Sequence, residues 1–245
     1  MKKFMMAATA VTLLFSIAQA DSHAAVKHEK HWDYSKNGPA HWGEFSKICA
    51  IGKSQSPINI VSAQTAKLNN DYKLTMNESV NTTAKVVDNG HSIKVTPKEG
   101  GTIEFNGETF KLLQFHFHGK SEHTVDGKRY DMVAHLVHQN PKTEQLAVVA
   151  VLFEEGKGNP VLDTIINGVD KEIKINPADL LPADTEHYFH YVGSLTTPPC
   201  SENVQWYVLK QPATASKDQI EAFRKYYLDN ERPVQEVNDR TIESN

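Results

Sequence analysis

Lys111-Leu112-Leu113-Gln114-Phe115-His116-Phe117-His118 and Tyr130-Asp131-Met132-Val133-Ala134-His135-Leu136-Val137-His138 are the two runs whose reading decides the fold. Both are dense in apolar, aromatic and β-branched residues and read as strands. Side chains alternate between the faces of a strand, so His116 and His118 project together with Gln114 beside them. Phe115 and Phe117 project the other way, into a core. Asp126-Gly127, between the runs, is a turn signal that lets the second strand return beside the first. His135 then meets the histidine pair across the ladder, on the face it shares with Val133 and Val137, while His138 points away. Three neutral imidazoles with no thiolate, leaving a fourth position open, suit a catalytic Zn²⁺. On its own, a His-x-His strand with a third histidine nearby leaves ordinary buried histidines as the alternative.

The surroundings are also β-rich. Ala84–Val87 and His91–Val95 flank Asp88-Asn89-Gly90, and Thr102–Phe105 and Glu108–Phe110 flank Asn106-Gly107. Both are hairpin signals, because Asn-Gly accepts the left-handed backbone of a tight turn. Further strands are expected at Gln145–Phe153, Tyr188–Val192 and Val204–Leu209. Two helices are expected. Val161–Gly168 is short, and Ser216–Leu228 opens with the capping-box pattern Ser216-Lys217-Asp218-Gln219 and carries Ile220, Phe223 and Tyr227 on one face. From His31 to Ser56 the chain is rich in Trp, Gly and Pro without a period and reads as an irregular packed segment. No repeat, low-complexity tract or linker appears.

At the N-terminus Lys2 and Lys3 precede an apolar run that ends at Ala18-Gln19-Ala20. This is the form of a secretory signal peptide over 1–20, since the run is short of the ~20 residues a spanning helix needs. Residues 21–30 read as a polar, frayed segment and 31–245 as one domain, with no membrane association after cleavage. The expected location is outside the cytoplasm, most simply the periplasm, with extracellular release the alternative. The formal net charge is −4, with no long basic block, which argues against a nucleic-acid partner. Two cysteines, Cys49 and Cys200, survive cleavage. In an oxidising compartment they most simply form one disulfide, with two free thiols the alternative.

Gly193-Ser194-Leu195-Thr196-Thr197-Pro198-Pro199-Cys200 is similar to a segment of the α-class carbonic anhydrases. Gln114–His118, Ser121-Glu122-His123-Thr124, His135–His138, Gln55-Ser56-Pro57-Ile58-Asn59-Ile60, Trp32 through Trp42, Asn89-Gly90-His91 and Asn230-Glu231-Arg232-Pro233 resemble the same family, in order and at compatible spacing, from about His31 to the C-terminus. The resemblance implies a mainly β single domain with short peripheral helices around a large twisted, mostly antiparallel sheet, and a zinc enzyme. The implied reaction is reversible hydration of carbon dioxide to bicarbonate and a proton, by zinc-hydroxide attack on CO₂ with a histidine proton shuttle.

Residue by residue, the resemblance implies one Zn²⁺ on His116, His118 and His135. It makes Thr196 a gatekeeper hydroxyl donating to Glu122, and His91 the proton shuttle. Val137, Val148, Leu195, Val204 and Trp206 form the wall that receives CO₂, with Thr197 lining the same site. Tyr34, Asn89 and Gln114 belong to the polar side of the cleft. Zinc-binding anions and sulfonamides are the implied inhibitors, and bacterial relatives are often dimers, which leaves a homodimer open. Two positions depart from the pattern. Relatives commonly carry Glu two residues before the third ligand, where it holds the second nitrogen of that imidazole, and here the position is Val133. Lys94 stands where relatives often have a neutral amide. A cupin-like site with Glu122 as a ligand, and a non-catalytic domain on the same scaffold, are the rival readings. The first lacks the flanking glycines and a second motif, and relatives of the second kind have lost zinc histidines, whereas all three are present here.

Overall fold

Alternation of apolar and polar residues sets the strands, and turn chemistry sets where they reverse. The computed structural model describes residues 31–69 and 73–245, and the signal-peptide and frayed-segment readings of 1–20 and 21–30 lie outside the described residues. His31–Asn245 forms one compact unit. Its main strands are β1 (Thr82–Asp88), β2 (Ile93–Pro97), β3 (Glu108–His118), β4 (Met132–Gln139), β5 (Leu146–Glu155), β6 (Glu172–Ile175), β7 (Tyr188–Ser194) and β8 (Glu202–Leu209). They lie in the order β6-β1-β2-β3-β4-β5-β8-β7 within one large sheet, extended past β7 by the two-residue strands Glu243–Ser244 and Ala66–Lys67. Neighbours from β6 through β5 are antiparallel, β5 and β8 are parallel, and β8 and β7 are antiparallel.

The turn between Thr102–Phe105 and β3 has Asn106 at φ 51° and Gly107 at φ 75°, the left-handed pair that a tight hairpin needs. The sequence reading divided Glu108–Phe110 from Lys111–His118, whereas the protein runs them together as β3. No residue in between carries a turn signal, and Leu112 continues the buried face. The helices are α1 (Pro160–Asn167) and α2 (Lys217–Tyr226). Asn159 caps α1 by accepting from the Val161 amide, and Ser216 and Gln219 close the expected capping box on α2. The irregular segment after His31 contains one 3₁₀ turn, Pro39–Glu44, and one helical turn, Ile48–Ile51. The short strand β6 was not expected.

The sheet has a different core on each face. Phe115, Phe117, Ala134 and Leu136 point into the larger cluster, which α1 and α2 cover with Leu162, Ile165, Ile220 and Phe223. Val133 and Val137 point into a smaller cluster with Ile58, Ile60, Tyr191 and Trp206. The histidine face therefore lies on the side away from the two helices.

Cys49 and Cys200 are joined as a disulfide, which ties the segment before the first strands to the loop after β7. No free cysteine is found among the described residues. Cross-linking so distant residues restricts the unfolded chain most. Reduction is expected to lower stability by about 2–5 kcal/mol. Thermal melts with and without reductant check this; equal melting temperatures would contradict it.

Candidate active site

The ladder places His135 directly opposite His116, and Val133 opposite His118. On the other side of β3, Lys94 is paired with His116. The three imidazoles meet with ring centroids 5.2, 5.4 and 4.8 Å apart, and their candidate ligand atoms lie within 4.8 Å of one another. Hydrogen bonds on the far side of two rings fix their protons. His116 Nδ1 faces Gln114 Oε1 at 3.0 Å, and His118 Nδ1 faces the Asn230 carbonyl at 2.6 Å. Both partners only accept, so each Nδ1 carries the hydrogen and each Nε2 keeps its lone pair. His118 Nε2 and His135 Nδ1 approach the same oxygen, Glu122 Oε2, at 3.6 and 3.7 Å. His118 Nε2 is buried and has no hydrogen-bond partner in the protein. A divalent cation that takes nitrogen ligands fits this donor set.

Burial first, and neighbouring positive charge second, push the His116 imidazole down to about 3; the same causes hold His135 well below its ordinary value. Both are neutral, ligand-ready bases at pH 7. His123, buried alongside, is also pushed down to about 3, chiefly by desolvation. Unfolded histidines take up protons below about 6.5, whereas His116 and His123 stay unprotonated in the fold until about 3. Between those limits the unfolded chain binds more protons, so stability falls as pH falls. The metal-free protein is expected to lose stability steadily from pH 6.5 downward, and the histidine contribution should level off near pH 3. Denaturant titrations across that range measure it, and a flat profile would refute it.

Glu122 is fully buried behind the rings. Its Oε1 accepts the Arg232 amide at 2.8 Å. Oε2 meets no donor in strict hydrogen-bond geometry, but the Thr196 hydroxyl comes close enough to favour the charged form. Desolvation is the larger effect and raises the Glu122 carboxyl, with His118, the Arg232 amide and Thr196 opposing it. In front of the rings lies a cleft of about 160 Å³ lined by Trp32, Tyr34, Asn89, His91, Ser92, Lys94, Gln114, His116, His118 and Thr197.

A sequence model of the eukaryotic-type carbonic anhydrases matches residues 37–245. The chain belongs to this family, the α-class carbonic anhydrases. It is 41% identical over 226 residues to a carbonic anhydrase of Nostoc sp., covering 86% of this chain and 85% of that one. It is 38% identical over 255 residues to one of Pectobacterium carotovorum, covering 99% of each. Among solved structures, the α-carbonic anhydrase of Thermovibrio ammonificans in complex with the inhibitor sulfanilamide superposes with a TM-score of 0.81 at 43% identity, covering 87% of this chain and 98% of that one. A hyperthermostable carbonic anhydrase from a hydrothermal vent chimney gives 0.79 at 44% identity, covering 87% and 99%.

In this anhydrase the sequence-derived residues fall into two groups. Tyr34, Asn89, His91, Gln114 and Thr197 line the polar cleft with His116 and His118. Val137, Val148, Val204 and Trp206 do not line it; they form an apolar cluster with Leu195 packed against it, and Trp206 sits edge-on to His135 at 5.0 Å. Asn89 serves the turn, its side-chain oxygen accepting the His91 and Ser92 amides. His91 stacks on Trp32 at 3.7 Å, and burial lowers its basicity.

Sequence reasoning assigned no role to Asn230 or Arg232, although both lie in a quoted motif. Asn230 accepts from His118 with its carbonyl and from the Gly119 amide with its side chain, and it donates to the His91 and Phe117 carbonyls. It therefore ties His118 to the His91 turn. Arg232 gives its amide to Glu122 and its guanidinium to Gln55, Ser56 and the Cys49 carbonyl.

His135 Nε2 and His123 Nδ1 are both buried with no hydrogen-bond partner in the protein, and Val133, on the strand face of His135, offers no acceptor.

Proposed function

We propose that this chain hydrates carbon dioxide reversibly to bicarbonate and a proton, with one zinc ion held by His116, His118 and His135. The observation that carries the reading is the convergence of three neutral imidazoles, two with their outward protons already committed to Gln114 and Asn230. When bound, zinc supplies the Lewis acidity that makes water a nucleophile near neutral pH, as it does in carbonic anhydrases generally. The remaining roles belong to the chain.

Anionic Glu122 can only accept, so the Thr196 hydroxyl donates to it and offers only lone pairs to the reacting oxygen. That oxygen must then spend its own hydrogen on Thr196, which aims a free lone pair at the carbon of CO₂. Val137, Val148, Leu195, Val204 and Trp206 pack together beside His135, and Leu195, the most exposed of the five, is where this apolar wall would meet CO₂, a molecule without a strong hydrogen-bonding group. Thr197 lines the opening. His91, neutral at pH 7 and at the mouth of the polar cleft, takes up the released proton and passes it to buffer. Tyr34, Asn89 and Gln114 shape the water-filled side through which that proton travels.

On this reading, 31–245 is the anhydrase domain and 1–20 a signal peptide, with secretion, most simply to the periplasm, as the destination. The bridged cysteines support an oxidising compartment, and among the described residues no helix is long and apolar enough to cross a membrane. Sulfonamides and zinc-binding anions are the inhibitors to test first. The deciding experiment is a stopped-flow pH-indicator assay on purified, zinc-analysed protein. Rapid hydration blocked by a sulfonamide supports the reading, and background rates from fully zinc-loaded protein would overturn it.

A further inference from the structure

The cleft has an uneven charge. None of its lining residues is Asp or Glu, and Lys94 is the one among them with a full formal charge at pH 7. Glu122 lies behind the imidazoles and is engaged by the Arg232 amide, and Glu231, the other carboxylate felt by Tyr34, is paired with Lys120. Lys94 is half-buried on β2 and paired in the ladder with His116. Among the described residues no carboxylate forms an ion pair with it. Its ladder partner His116 lines the same cleft, which brings the ammonium group to the site.

We propose that Lys94 is an anion-capture residue that sets how tightly the cleft holds small monovalent anions, bicarbonate among them. The inference rests on the anhydrase reading and adds a preference between the two partners of the reaction. CO₂ carries no charge and no dipole, so an ammonium group gives it no steering. Bicarbonate carries a full negative charge, and a half-buried cation within several ångströms strengthens its binding. Lys94 cannot move the overall equilibrium. Its effect appears as tighter bicarbonate binding, slower bicarbonate release during hydration and stronger inhibition by other small anions. Salt screens part of the interaction, so the expected effect of one charge is about three- to tenfold in affinity.

The test compares zinc-loaded wild type, Lys94→Gln and Lys94→Arg. Thiocyanate binding is measured by calorimetry, and bicarbonate inhibition of CO₂ hydration by stopped flow. Lys94→Gln is expected to weaken both anions about three- to tenfold, Lys94→Arg to stay near wild type, and kcat/KM for CO₂ to move less than twofold. Equal thiocyanate affinity in wild type and Lys94→Gln, or no thiocyanate binding to wild type, overturns the proposal. So does a Lys94→Arg variant as weak as Lys94→Gln, or a kcat/KM for CO₂ that moves as far as the anion constants. If zinc-loaded wild type fails to hydrate CO₂, the anhydrase reading falls, while the thiocyanate comparison still judges Lys94 separately.

Discussion

Thr196→Ala is expected to lower kcat/KM for CO₂ hydration by about 100-fold with zinc content unchanged, because the hydroxyl orients a reacting oxygen and holds no metal. The argument runs through Glu122. The Arg232 amide donates to Oε1 and leaves Oε2 for Thr196. In Glu122→Gln the same amide should hold the carbonyl of the new side chain at the Oε1 position, which turns the NH₂ toward Thr196. Thr196 must then accept from the amide and donate toward the reacting oxygen, which reverses the polarity of the chain. Glu122→Gln should therefore lose activity on a similar scale, and the double variant should be little worse than the poorer single one, because both act through one relay. Zinc analysis with stopped-flow kinetics reads all three. Zinc lost from Glu122→Gln would make Glu122 a ligand and support a cupin-like site, and full additivity would break the proposed relay.

Val133→Glu is expected to slow zinc release to a chelator by about 10–100-fold, the usual weight of a hydrogen bond to a ligand histidine. Two buried nitrogens, His135 Nε2 and His123 Nδ1, have no partner in the protein. If His135 binds zinc through Nδ1, its Nε2 carries the hydrogen, and that N–H is then buried without an acceptor. A carboxylate at 133 can accept from it and lies on the same β4 face. Val133→Gln is the control, because an amide brings donors as well as an acceptor and should slow release less. The carboxylate should also destabilise the metal-free protein, where no cation offsets its burial. A folded Val133→Glu variant that releases zinc as fast as wild type would remove this explanation.

The alternation in β3 and β4 was enough to read three histidines onto one face, because strand geometry fixes side-chain direction within two residues. The capping box on α2 and the Asn106-Gly107 hairpin were equally local and equally legible. The run-on of β3 and the existence of β6 were not, since both depend on which neighbour supplies the ladder. The motif containing Asn230 and Arg232 could be recognised but not interpreted. The contacts of those two residues with His118 and Glu122 span more than a hundred positions of chain.

By itself the sequence determined the donor types, their alternation along each strand, the turns that return one strand to the next, and the substitution of valine at 133. Only the tertiary structure decided which nitrogen of His118 is committed and which remains free, because its acceptor is brought in by the C-terminal segment. It also decided that Lys94 stands in a cleft whose lining has no carboxylate. Covalent neighbours set which way a side chain faces, whereas proton placement and electrostatic balance belong to groups that meet only after the chain has folded.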